Sequence, residues 1–204
     1  MLDQLINRVV QHAATRADEL VAARRQWDEL TGKVFDDDPL YEERTAGFLE
    51  WYALERPGPD GKTPLEDLLA HLSPADPDRE GLRLLLGTYR SLFIVRATEE
   101  QHLELEDLIG GAIFRVFERR QPLGLSEGDL FEARLCPRSD ASGDVLLTRA
   151  LQHHPREARE AVEAIASGRP PREETLFKLA RLRWKAARWG HVSPERIYHG
   201  DDGE

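Results

Sequence analysis

His153 and His154 stand side by side, with Glu157 and Glu160 three and six residues after the second histidine. Imidazole and carboxylate together are donors for a zinc or iron site, but such a site needs three or four converging ligands. The chain has no H-E-x-x-H, no C-x-x-C and no EF-hand loop to complete one. The acidic runs Asp36–Asp38 and Asp201–Asp202 lack the spacing and glycine of a calcium loop. Adjacent histidines ahead of a helix read more simply as solvated or capping residues, so the sequence assigns no metal ligand.

Carboxylates offer a second set. Glu104, Glu106 and Asp107 lie together, just after Glu99 and Glu100. Paired carboxylates do acid–base work when burial separates their pKa values. Here Glu104 and Glu106 alternate with Leu103 and Leu105, which puts both on the polar, solvent-facing side of a strand. Asp107 precedes Gly110–Gly111, and side-chain capping of that turn accounts for it. Cys136, the one cysteine, adjoins Pro137 with no histidine close in sequence and reads as a small core residue. No catalytic residue and no cofactor follow from these patterns. An enzyme with a spatially assembled acidic or metal site is the least favoured reading.

The most specific pattern is a basic stripe. Lys178, Arg181, Lys185 and Arg188 recur at steps of three, four and three along a helix over 172–189. Leu176, Leu179, Ala180, Trp184 and Ala187 fall largely on the other side, with Glu173 and Glu174 at the positive helix end. These four cations are the candidate partner-binding residues, suited to phosphates or an acidic partner. A solvated face is the plainer reading.

The elements that would position these groups follow from periodicity. The first thirty residues read as one amphipathic helix, roughly 45 Å long at the helical rise. Asp38–Pro39 reads as a cap and first-turn proline for a second helix, and Thr63–Pro64 for a third. A helix carrying Leu82, Leu85 and Leu86 ends near Gly87. The period then changes, with five strands expected at 91–97, 102–108, 112–120, 129–137 and 144–151. Helices return over 155–167 and 172–189, and a polar tail is expected to fray. The fold class is α+β: a small antiparallel five-stranded sheet or barrel, of SH3 or OB size, flanked by N- and C-terminal helices. Residues 1–88, 89–154 and 155–204 form its three regions within one compact unit.

FLEWYALERPGPDGKTPLEDLL (48–69) resembles the helix–turn–helix segment of bacterial proteins in the SEC-C-motif-associated group. SLFIVRA, LELEDLIGGAIFRVFER and GDLFEARLCP look like the strand run that follows in those proteins. The resemblance spans roughly 48–155 and implies a helix-plus-β core, with no activity attached. The Cys/Cys/Cys/His zinc tail of the SEC-C module has no counterpart, since residues 156–204 contain no cysteine.

The formal net charge of -10 over 204 residues argues against coating nucleic acid by bulk attraction. No apolar run approaches the roughly 20 residues that span a bilayer, and the first residues lack a signal-peptide pattern. With a single cysteine, the expected compartment is the reducing cytoplasm. These features predict a non-catalytic protein-interaction or adaptor module acting through its terminal helices, by self-association or docking on a protein. Nucleic-acid binding through the basic helix and the β-domain is the alternative.

Overall fold

The computed structural model describes residues 2–33, 35–117, 124–140, 142–168 and 171–200. Strands β1 (Tyr89–Thr98), β2 (His102–Asp107), β3 (Ile113–Phe117), β4 (Leu130–Pro137) and β5 (Val145–Leu147) close into a barrel in the order β1-β2-β3-β5-β4-β1. Among the described residues Val116 and Val145 make the one parallel pairing, and the remaining ladders are antiparallel. The barrel is therefore a mixed one of the five-stranded Greek-key kind. A bulge between Val95 and Ala97 bends the long first strand, so that it pairs β4 and β2 at once. A short sixth strand, β6 (Gln152–His153), takes the edge of β4 beyond β5. Phe93, Val95, Leu103, Leu105, Val116 and Phe131 fill the interior.

The turn between β2 and β3 follows the sequence closely. Asp107 is fully buried, and its carboxylate accepts hydrogen bonds from the Ile109 amide at 2.9 Å, from Ser91 Oγ at 2.6 Å and from the Tyr89 hydroxyl. Gly111 takes a φ of 74°, a left-handed conformation that glycine adopts without strain.

Helices α1 (Leu2–Ala14) and α2 (Ala17–Thr31) replace the single long helix expected over the first thirty residues. The chain breaks where Thr15 Oγ1 donates back to the His12 carbonyl and Arg16 turns to reach Asp67, far along the chain. No 45 Å arm projects from the molecule. Gly32 ends α2 as expected, with a φ of 92° and the Trp184 ring 3.0 Å from where a Cβ would lie. α3 (Tyr41–Leu54) starts later than the Asp38–Pro39 signature implies. Asp38 instead folds inward, accepting from the Phe35 amide and pairing with Arg188 at 3.3 Å. Thr63 does cap α4 (Pro64–His71), in a capping box with Glu66.

α5 (Arg79–Leu85) packs with α1 and α4 through Leu5, Ile6, Val9, Leu65, Leu69 and Leu82. α2, α3 and α7 (Arg172–Arg188) share an aromatic core of Trp27, Phe48, Trp51, Tyr52 and Phe177. α6 (Arg159–Ser167) and α8 (Pro194–His199) cover the other side of the barrel with α7. The tail expected to fray contains α8, because Ile197 and Tyr198 are both buried in that core.

α3 meets the barrel through charge rather than apolar surface. Glu50 is buried and accepts from Thr148 Oγ1 at 2.9 Å, from Arg134 Nε at 3.3 Å and from the Ala150 amide at 3.3 Å. Arg134 also reaches Glu55, and Arg90 pairs with Glu55 at 3.5 Å and Glu132 at 3.2 Å. Arg90 is held over the rings of Trp27 and Phe177, which ties the lattice to the aromatic core. Removing one member of such a buried set leaves its partner charge desolvated, which costs about 3–5 kcal/mol. Glu50→Ala should therefore lower unfolding free energy by about that amount in a urea titration. A loss under about 1 kcal/mol would contradict the role assigned to the lattice.

Candidate functional groove

The two halves leave an open groove of about 870 Å³ between α1, α5 and the end of the barrel formed by β4 and β5. That volume lies within the range of ligand-binding clefts. Its floor is apolar, built from Leu5, Leu84, Cys136, Pro137, Leu146 and Leu147. Leu84 is half-buried, as are Leu2 and Leu146. Gly81 sets how closely the helical walls approach, since a Cβ there would stand 2.8 Å from Leu5 Cδ1. The rim carries Asp3, Asp78, Glu80 and Asp140 against Arg138 and Arg149. Each of the four carboxylates is ion-paired, Asp3 with Arg149, Asp78 with Arg8, Glu80 with Arg83 and Asp140 with Arg138, so the mouth carries paired charges of both signs.

α1 is held in place by a row of polar contacts along its length. Arg8 pairs with Asp76 and Asp78, and Asp67 on α4 accepts from His12 Nε2 at 2.7 Å and from Arg16. Cys136 sits on the groove floor at 2% exposure, and burial pushes its thiol up to about 11. At neutral pH it is an inert thiol.

The basic stripe divides. Arg181 donates to the Glu29 and Leu30 carbonyls at the end of α2, and Arg188 pairs with Asp38 and lies over the Phe35 and Trp184 rings. Lys185 lies 5.5 Å from the Trp189 ring, and Lys178 is exposed beside Thr175 and Tyr198. Arg181 and Arg188 thus serve the fold.

The histidine pair divides as well. His154 is buried with Nδ1 2.8 Å from the Tyr198 hydroxyl, whereas Glu157 and Glu160 are exposed. Among the described residues, no three His, Cys, Asp or Glu side chains converge on a point that would hold a metal ion. Glu104 is exposed and Glu106 pairs with Arg96, so they lie on the outer face of β2 as their alternation implies. Gly124-Leu125-Ser126-Glu127-Gly128 spells the G-x-S-x-G of a nucleophile elbow. Its fold context is different: the segment is a loop leading into β4, with no helix after it. The Ser126 amide donates to Asp129, in a local turn.

Comparison of the chain with protein-family models, curated proteins and solved structures gives no match. No helix among the described residues is long and apolar enough to cross a membrane.

The hydrogen bond from His12 holds the Asp67 carboxyl below the usual carboxylate range against the opposing effect of burial, and the Arg16 charge adds to the lowering. A depressed carboxyl contributes stability above its unfolded value of about 4, and that contribution is lost as pH falls through the folded value. Thermal stability should therefore drop as pH falls from about 5 to 2, with Asp67→Asn showing a shallower drop over that interval. Equal slopes in melts of the two proteins would contradict this account of how α1 is seated.

Proposed function

We propose that this chain is a non-catalytic protein-interaction module that seats a basic, apolar segment of a partner protein in the groove between α1, α5 and the barrel. One observation carries the reading: a floor of aliphatic side chains lies under a rim whose carboxylates, Asp3, Asp78, Glu80 and Asp140, are each held by an arginine in a partly exposed ion pair that an incoming cation can replace. Apolar burial supplies affinity for such a segment, while the rim carboxylates orient it. The lone thiol, kept buried and protonated, suits work in the reducing cytoplasm.

The site moves from the terminal helices to a groove that one of them walls. Nucleic-acid binding draws less support. Greek-key barrels of the OB kind bind oligonucleotides across the outer face of strands 2 and 3. Here that face presents Glu104 and Glu106 beside Arg115, with Glu99 close by. Arg181 and Arg188, which a phosphate backbone would need, are engaged within the fold.

An amphipathic peptide of alternating leucine and lysine faces, added to the intact protein, is the direct probe. It should bind more tightly than its glutamate counterpart by at least tenfold at low salt. Glu80→Lys with Asp140→Lys should reverse that order, and Leu146→Arg, which puts a cation on the floor, should abolish binding of the basic peptide with the melting temperature as a check on folding. Equal binding of both peptides, or binding unchanged in Leu146→Arg, would overturn the proposal.

A further inference from the structure

Arg149 and Asp3 lie on opposite walls of the groove, one just after β5 and the other in the first turn of α1. Arg149 Nε stands 2.6 Å from Asp3 Oδ2, so the pair crosses the mouth. Among the described residues, the other ion pair between two of these rim residues, Arg138 with Asp140, stays within a single loop. Arg149 keeps 69% of its side-chain surface exposed and Asp3 keeps 31%. Nothing but its own rotamers prevents Arg149 from swinging back to water. An exposed pair of this kind is worth about 0.2–1 kcal/mol and weakens with salt.

We infer that the Arg149–Asp3 pair is an internal competitor for the groove, an autoinhibitory strap that an incoming cationic side chain displaces by taking Arg149's place on Asp3. The inference rests on the proposed groove function and adds how that site is regulated. Asp3 lies between Leu2 and Leu5 in the chain, at the start of α1, and all three line the groove, so a ligand with its apolar side down brings a flanking cation to the same carboxylate. Arg149 opposes that ligand twice, by occupying Asp3 and by adding positive charge to the rim. A segment without a flanking cation would have to leave the strap in place, so the pair selects for basic partners as well as restraining them.

The test measures affinity of the basic leucine–lysine peptide for the full chain and for Arg149→Ala, Arg149→Lys and Asp3→Asn, by anisotropy of the labelled peptide at low and high salt. Arg149→Ala should bind about threefold more tightly at low salt, within the range that an exposed pair allows, and the gain should shrink at high salt. Arg149→Lys keeps the competing charge and should match the wild type, while Asp3→Asn should bind more weakly by a similar factor. Wild-type binding with Arg149→Ala unchanged or weaker would overturn the strap and leave the groove standing. Absence of binding in the wild type and in every variant would overturn the groove itself, and the strap with it.

Discussion

Glu50 projects from the buried face of α3 into a site where a guanidinium, a hydroxyl and a backbone amide all donate to it. Around it Arg134, Glu55, Arg90 and Glu132 alternate in sign, and all but Glu55 are nearly sealed from water. Desolvating five charges is expensive, and pairing recovers part of the cost, with Arg90 Nη1 and Glu132 Oε1 left without a hydrogen bond among the described residues. Burial raises the Glu50 carboxyl above its ordinary range, while Arg90 and Arg134 hold Glu55 below its own. A slip of α3 along the barrel would part Glu50 from all three of its donors. The seating of α3 on the barrel is thereby tied to this set of contacts.

With α3 fixed, the groove follows. α1, α4 and α5 pack against one another, against α3 and, through Cys136, against β4 by way of Leu5, Val9, Ala53, Leu65 and Leu82, so α3 and β4 together set their position relative to the barrel. The walls then converge without filling the space above Cys136 and Leu147. Aliphatic contacts set how deep the groove is, and the ion pairs of Arg8, His12 and Arg149 set how firmly α1 closes one side. Those polar ties are partly exposed and weak one by one, whereas the lattice under α3 is buried and strong.

Much of the barrel could be read from residue order. Leu103 and Leu105 alternate with glutamates, and Asp107 with Gly110–Gly111 marks the turn, because strand period and turn chemistry are local. The same local rule misleads on β4. Glu132 and Arg134 alternate with Phe131, Ala133 and Leu135 and so imitate a solvent face, yet every residue from Leu130 to Cys136 is buried because α3 and its charges cover the outside. The break after α1 was equally hidden, since it depends on Arg16 meeting Asp67 fifty-one residues away. Ile197 and Tyr198 were lost in a polar tail for the same reason: two apolar residues carry little pattern until a core receives them. The groove was not legible at all. Its floor and rim come from segments near residues 3, 80, 137 and 147, which only the closed barrel and the docked α3 bring together.

Where a basic, apolar ligand sits decides whether the groove is the binding site. Isotope-labelled protein titrated with the leucine–lysine peptide reports this residue by residue through its backbone amide resonances. Shifts that concentrate on Leu5, Leu84, Cys136, Leu146 and Leu147, saturating together with one affinity, are the predicted result. Shifts scattered over the acidic surface, or gathered on the outer face of β2 and on α7 while the groove amides stay still, would contradict it.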